Sequence, residues 1–406
     1  MRIVFWQNMM AFHQSAHIRA LADTPGWEVV WVVQETLRPE RAAMGWPIPD
    51  PGGARVVVGP SAQRIREIAD ESDRDTVHVF GGTRSYELVR LAVPACLRTP
   101  ATLGILSERS DHRGVKGLAR LLRGRLEAAR LGRRVSFILA IGRGAPEWFQ
   151  ACGYLRERIY PYGYLMETPE RLSFPERDPN GVLRLLFLGQ FIPRKGGDVL
   201  LRGLAGVAAG PWRLRMVGGG PTKAGWSALA DRLGLSPQVE LTDAMPHAEC
   251  MQELEYADLL VLPSTRKEGW GAVVSEALMR GVPAICTDEC GAADLLRERW
   301  RGEVVRARSV PALSAALERW IAKGPRTSEQ TERIVEWSKC IRGEVAAAYM
   351  LDVIRHARGD GPRPEVPWWA GTTPPDTQHA PSSHGIGVTT AAGAGQEDPR
   401  AYCERR

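Results

Sequence analysis

Short apolar runs recur along this chain, separated by stretches in which apolar positions return at helical spacing. Arg2 to Trp6, Glu28 to Val33, Arg55 to Val58, Val77 to Phe80, Thr102 to Leu106 and Ser136 to Ile141 read as strands, and His17 to Ala22 as a helix. The text ETPERLSFPERDPNG, from 167 to 181, breaks the alternation; it is polar and proline-rich and reads as a linker. A second alternation follows, with strands at Leu183 to Leu188, Leu214 to Val217, Val239 to Leu241, Leu259 to Leu262, Pro283 to Cys286 and Glu303 to Val305. Its helices are Gly197 to Leu204, Ala224 to Leu233, Ala272 to Arg280, Val310 to Ile321 and Thr327 to His356. Continuously apolar strands need cover on both faces, and strands alternating with helices imply parallel sheets with right-handed crossovers. The expected fold class is therefore α/β, with two doubly wound domains, 1–166 and 182–357, joined by the linker 167–181 and facing a central cleft. Residues 358–406, rich in Gly, Pro, Thr and Ser, are expected to be disordered.

Composition narrows this only a little. A chain of 406 residues suffices for two domains, and 44% hydrophobic with 25% charged residues is ordinary for a soluble globular protein. No apolar run approaches the roughly 18 residues that a membrane span needs. The opening MRIVFWQNMM reads as a first strand rather than a leader. Seven scattered cysteines suggest reduced thiols in a cytosol, and Cys286 and Cys290 lack the second pair that would make a metal site. The net charge of +6 is mild, but nine Lys and Arg against two acidic residues lie between Arg109 and Arg134. Leu118, Leu121, Leu122 and Leu126 recur there at helical spacing. This basic amphipathic helix either lies on an anionic membrane surface or packs on the core with a solvated basic face. No aromatic-interleaved basic patch points to nucleic acid.

Chemistry concentrates after the strand Leu259 to Leu262. Pro263 and Ser264 stop it, Thr265-Arg266-Lys267 turns, and Glu268 precedes Gly269-Trp270-Gly271 and a helix carrying Glu276. Seven residues separate the two glutamates. They are either an acid and base that one ligand touches, or ordinary solvated carboxylates. The run GQFIPRKG, from Gly189 to Gly196, likewise follows a strand and opens a helix. Arg194 and Lys195 beside a helix N-terminus suit a diphosphate, or else form a plain basic loop. Gly218-Gly219-Gly220-Pro221 allows close backbone approach to a ligand but is not a GxGxxG fingerprint.

Taken in order, LLFLGQFIPRKGGDVLL, LRMVGGGP, LGLSPQVELTD and ADLLVLPSTRKEGWGAVVSEALMRGVPAICTDECGAADLL resemble the family-4 glycosyltransferases of the GT-B fold. The likeness runs from about Val182 to Ile321; the first half shares only layout and fragments such as FILAIGRGAPEWFQACG and RIYPYGY. It implies two Rossmann-like domains, with a nucleotide-sugar held mainly by the second. Glu268 would contact donor-sugar hydroxyls and Glu276 ribose hydroxyls, while Arg194 and Lys195 would meet the diphosphate. Ser264, Gly219, Gly220, Gly269, Trp270 and Gly271 would line the donor. The implied reaction is retaining, hexosyltransferase-type transfer without metal or cofactor, the nucleotide-sugar being a substrate. The expected acceptor is a glycan, lipid-linked, in bacterial cell-surface or exopolysaccharide synthesis, with the protein cytoplasmic or peripheral on the inner face of the membrane. A soluble small-molecule acceptor, a nucleotide-sugar epimerase and a non-catalytic binding protein are the alternatives. The chain departs from the family at Gln190, where arginine is common, at NMMAFHQSAH, which replaces a double-glycine loop, and at Ser107-Glu108, which replaces a histidine. His13 and Glu108 are accordingly the acceptor-side candidates.

Overall fold

The computed structural model describes residues 1–39, 41, 46–167, 169, 172, 181–208 and 210–370. Its first sheet holds β1 (Arg2–Met9), β2 (Glu28–Glu35), β3 (Arg55–Val58), β4 (Thr76–Phe80), β5 (Thr102–Glu108), β6 (Val135–Ile141) and β7 (Ile159–Tyr162). All pairings are parallel, in the order β3-β2-β1-β4-β5-β6-β7. The helices α1 (Phe12–Ala22), α2 (Ala62–Asp70), α3 (Glu87–Cys96), α4 (Gly114–Leu131) and α5 (Ala145–Ala151) connect them. Alternation decides which core each side chain joins: Ile3 and Phe5 face one buried cluster, Val4 and Trp6 the other. The buried indoles of β1 and β2 keep their N–H groups paired, Trp6 to His78 Nδ1 at 3.0 Å and Trp31 to Gln7 Oε1 at 2.8 Å.

The second sheet holds β8 (Leu183–Leu188), β9 (Trp212–Val217), β10 (Val239–Thr242), β11 (Leu259–Leu262), β12 (Ala284–Thr287) and β13 (Gly302–Val305). These are also parallel, ordered β10-β9-β8-β11-β12-β13. Around them lie α6 (Gly197–Ala205), α7 (Lys223–Arg232), α8 (His247–Tyr256), α9 (Ala272–Met279), α10 (Val310–Lys323) and α11 (Ser328–Ser338), and α12 (Gly343–Arg358) follows them in the chain. The strand order reverses between β8 and β11, which sets the loops after Leu188 and Leu262 side by side at the carboxyl ends. A doubly wound sheet opens its ligand crevice at such a switch point.

Several features differ from the sequence reading. β7 contains Pro161, and it pairs only with β6, so the missing N–H falls at a sheet edge where proline is tolerated. The helical stretch from Thr327 is two helices, with a 3₁₀ turn at Lys339–Ile341 between them. The last of these, α12, belongs to the first sheet rather than to the domain drawn as 182–357. Gly343 sits so close to α1 that a Cβ there would lie 2.5 Å from the Ala16 methyl, and Tyr162 donates to Ala346 O at 3.3 Å. Helical periodicity in Ala346, Tyr349, Met350 and Val353 shows that a face must be covered, not which element covers it.

The tail expected to be disordered from 358 also begins in order. Arg358 donates to Thr102 Oγ1 at 3.1 Å, Arg363 lies over the Tyr160 ring at 4.3 Å, and Trp368 is 1% exposed against Tyr349. The large indole surface outweighs the Gly and Pro around it. Residues 371–406 lie outside the described residues, as does most of the expected linker. Replacing Trp368→Ala should cost about 3–5 kcal/mol by emptying a packed aromatic site. Urea denaturation measures this; an unchanged midpoint would show the strap contributes nothing.

Candidate functional site

The site begins where β8 and β11 end. After β8 the chain turns through Gly189, makes a 3₁₀ turn at Pro193–Lys195, and enters α6 through Gly196 in the left-handed region, φ +71°. A side chain at 196 would collide with Pro263 O of the neighbouring loop, so glycine satisfies both the turn and the approach. Thr265 N–H donates to Arg194 O at 2.8 Å, tying the two loops together. Three donors then converge on one carboxylate oxygen, Glu268 Oε2: Arg194 Nη1 at 2.6 Å, Lys195 Nζ at 2.9 Å and Ser264 Oγ at 2.9 Å. Glu268 is 8% exposed. Burial pushes its pKa up, but the Lys195 and Arg194 charges and the hydrogen bonds from Lys195 and Ser264 outweigh that, holding the carboxyl below its usual value.

Neighbouring loops hold this cluster in place. Glu268 N–H donates to Glu289 O at 3.0 Å, Gly291 N–H to Glu268 O at 3.2 Å, and Thr287 Oγ1 to Ser264 O at 2.7 Å. Gly219 O accepts from Phe191 N at 2.7 Å, and a Cβ at Gly220 would strike Phe191 O. The close approach foreseen for this glycine loop is therefore made first to the Gly189–Phe191 backbone. Gly271 adopts φ +82° at the start of α9, where no side chain caps the helix. Trp270, expected on the donor side, is 2% exposed; its indole donates to Ser275 Oγ at 2.9 Å and packs on Gly163 and Tyr164. Its side chain joins the two halves instead of lining an open donor pocket.

Glu276 does not touch the Glu268 cluster. Its Oε1 lies 3.2 Å from His247 Nε2, and the His247 ring stacks on Phe12 of the first half at 5.8 Å with Trp46 at 6.3 Å. His247 opens α8 directly after Pro246, a helix-start signal that the sequence reading passed over.

The acceptor-side candidates do meet. Tyr164 lies 3.9 Å from His13, ring to ring, and its hydroxyl bonds both Glu108 and Gln14. Burial and the Glu108 charge raise the Tyr164 pKa well above its ordinary value. Burial, helped by the Arg41 charge, pushes half-buried His13 down to about 3, so its imidazole is neutral at physiological pH. Glu108 in turn pairs with Lys267 Nζ at 3.3 Å and lies so near Gly269 that any side chain there would meet its carboxylate. Arg109 and Arg113 both reach Glu289 from the first half, Arg109 at 2.9 Å. The cleft thus brings His13, Tyr164 and Glu108 against the loop that carries Lys267, Glu268 and Gly269.

Residues 170–337 match the family model described as glycosyl transferases group 1. This stretch contains Arg194, Lys195, Ser264, Glu268 and Glu276. An exopolysaccharide phosphotransferase of Streptomyces coelicolor is 30% identical over 275 residues, 66% of this chain and 25% of that protein. A GDP-mannose-dependent alpha-(1-6)-phosphatidylinositol monomannoside mannosyltransferase of Mycolicibacterium smegmatis is 30% identical over 138 residues, 32% of this chain and 36% of that one. The chain therefore spans between a quarter and about a third of these relatives. Among solved structures, a lipopolysaccharide outer core galactosyltransferase in its apo form superposes with TM-score 0.65 at 16% identity, over 88% of this chain and 99% of that one. The Anabaena HepE protein in complex with UDP gives 0.65 at 14%, over 88% and 100%. The fold is GT-B, two Rossmann-like domains about a cleft.

Because Glu268 has a folded pKa below its unfolded value, it stabilises the protein above the unfolded pKa, and that contribution is lost as pH falls through the folded one. Glu268→Gln should therefore lower stability at neutral pH by about 1–3 kcal/mol, since two cations lose their counter-charge. The gap to the parent protein should close on acidification. Thermal melts across pH check this; a gap independent of pH would show that Glu268 is not the group that titrates.

Proposed function

We propose that this chain is a metal-independent, retaining family-4 glycosyltransferase. In this reading it moves a sugar from a nucleotide-sugar to a hydroxyl of a lipid-linked glycan, in bacterial cell-surface or exopolysaccharide synthesis. The observation that carries the reading is the convergence of Arg194, Lys195 and Glu268 at a strand switch point, opposite Glu108 and Tyr164. Two cations at a helix start suit a diphosphate, and carboxylates at the cleft suit sugar hydroxyls. The relatives agree in kind: one is named for a phosphatidylinositol mannoside, and structural neighbours are complexes with UDP, or with UDP and glucose.

The chemistry asks the protein for charge stabilisation and register rather than a nucleophile. The bond between the anomeric carbon and the diphosphate oxygen breaks with its electron pair going to the diphosphate. The acceptor oxygen then bonds to that carbon from the same face, its proton passing to the departing phosphate. Arg194 and Lys195 would meet the developing charge, which leaves no task that requires a divalent ion. Today both cations are paired to Glu268, so an incoming diphosphate takes over that partnership and frees the carboxylate for sugar hydroxyls. Glu276, steered by His247, would hold the ribose. Glu108 and Tyr164 would receive the acceptor, with His13 as a neutral hydrogen-bonding ring. The enzyme would work in the cytoplasm, peripherally at the inner face of the membrane.

Lys195→Ala and Glu268→Ala should each lower transfer by about 10²–10³-fold, or about 2.7–4 kcal/mol, while the fold persists. Product analysis with UDP- and GDP-sugars measures this, and full activity in either variant would remove the assignment. Turnover of the donor without any acceptor would favour the epimerase reading, and EDTA should leave the rate unchanged. His247→Ala should raise the donor KM about tenfold with little change in kcat, because only the position of Glu276 is lost. His247→Gln, which keeps a donor near Glu276, should restore most of it; an equal effect of both on kcat would point to a structural role instead.

A further inference from the structure

The helix α4 turns Leu121 and Leu131 to the core but leaves its other leucines out of it. Among the described residues of α4 only Gly117 and Ala128 are buried, whereas Val115 is 87% exposed, Leu118 51%, Leu122 52% and Leu126 63%. At 3.6 residues per turn these four side chains fall within an arc of about 80°, opposite the buried face. Exposed leucines scattered singly need no explanation, but a row of four along one helix does. Lys116, Arg120, Arg123 and Arg130 are also exposed and flank one side of the stripe, with Arg125 on the other. The helix starts six residues after Glu108, so the stripe runs from the rim of the cleft.

We infer that α4 docks the protein onto an anionic lipid bilayer, inserting Val115, Leu118, Leu122 and Leu126 at the headgroup boundary while the flanking cations meet lipid phosphates. Charge complementarity selects this occupant. A second copy would set the same cations against each other, whereas an anionic surface neutralises them and takes the apolar row as well. No helix among the described residues is long and apolar enough to cross a membrane, and this one would lie in the interface plane. The benefit to catalysis, a cleft rim held where a lipid-linked acceptor arrives, rests on the function proposed above; the docking itself does not.

Vesicle flotation without any substrate tests it. The protein should float with vesicles of phosphatidylcholine and phosphatidylglycerol and stay behind with phosphatidylcholine alone. Leu118→Asp/Leu122→Asp/Leu126→Asp should cut the bound fraction at least about tenfold at an unchanged melting temperature, since the three side chains contact solvent already. Lys116→Gln/Arg123→Gln/Arg130→Gln should weaken binding by about fivefold per charge, and raised salt should mimic it. Failure of the parent protein to float, or undiminished flotation of the triple aspartate variant, overturns the inference. So does a dimer in sedimentation that this variant dissolves while no flotation is seen. Flotation with no thermal shift from any nucleotide-sugar would keep the docking and discard the transferase reading.

Discussion

A single carboxylate oxygen, Glu268 Oε2, collects Arg194, Lys195 and Ser264, and much of the cleft is arranged to keep that buried charge paired. A buried anion without donors would be costly or would take up a proton. The pairing needs two loops from non-consecutive strands to touch, which Gly196 permits and the Thr265–Arg194 backbone bond secures. In the function proposed above, these two cations are the groups an incoming diphosphate would share with the carboxylate.

The same loop joins the two halves. Gly142 and Gly291 bring backbones together where no Cβ fits, Arg143 N–H donates to Gly291 O at 2.9 Å, and Glu108 lies against Gly269. Trp270 fills the space between Gly163, Tyr164 and Ser275. The cleft residues of both halves are consequently positioned by one set of contacts. On the far side α12 crosses back to α1, so the chain ends its described path on the domain where it began. Motion of one half against the other would have to pass through these two joins.

The first half carries a second surface with its own logic. α4 packs through small residues, Gly117 and Ala128, with Gly124 against Cys152 and with Leu121 and Leu131 on the core, and this close seat leaves Val115, Leu118, Leu122 and Leu126 facing outward. The sequence could be read as a core helix or a membrane-facing one, because the leucine spacing satisfies both. The packing divides the leucines instead: Leu121 and Leu131 reach the core, while Leu118, Leu122 and Leu126 stay exposed.

Much of the fold was legible in residue order. Parallel strands announce themselves as continuous apolar runs, and every run read as a strand became one; the inner strands are covered on both faces and must be apolar regardless of their neighbours, while the edge strands β3 and β10 are only partly covered. The cleft loops were legible for a similar local reason: Arg194, Lys195 and Glu268 follow the ends of β8 and β11, where a doubly wound sheet opens, and Glu276 comes next in α9. Partnership was not legible. Nothing along the chain says that Glu268 pairs with cations 74 and 73 residues earlier, that His247 supports Glu276, or that Trp270 turns inward. Nor does it say that α12 crosses to the first sheet, or that Trp368 pins the segment after it. Periodicity records that a face must be covered and a charge must be met; which distant group does so is settled only when the whole chain packs.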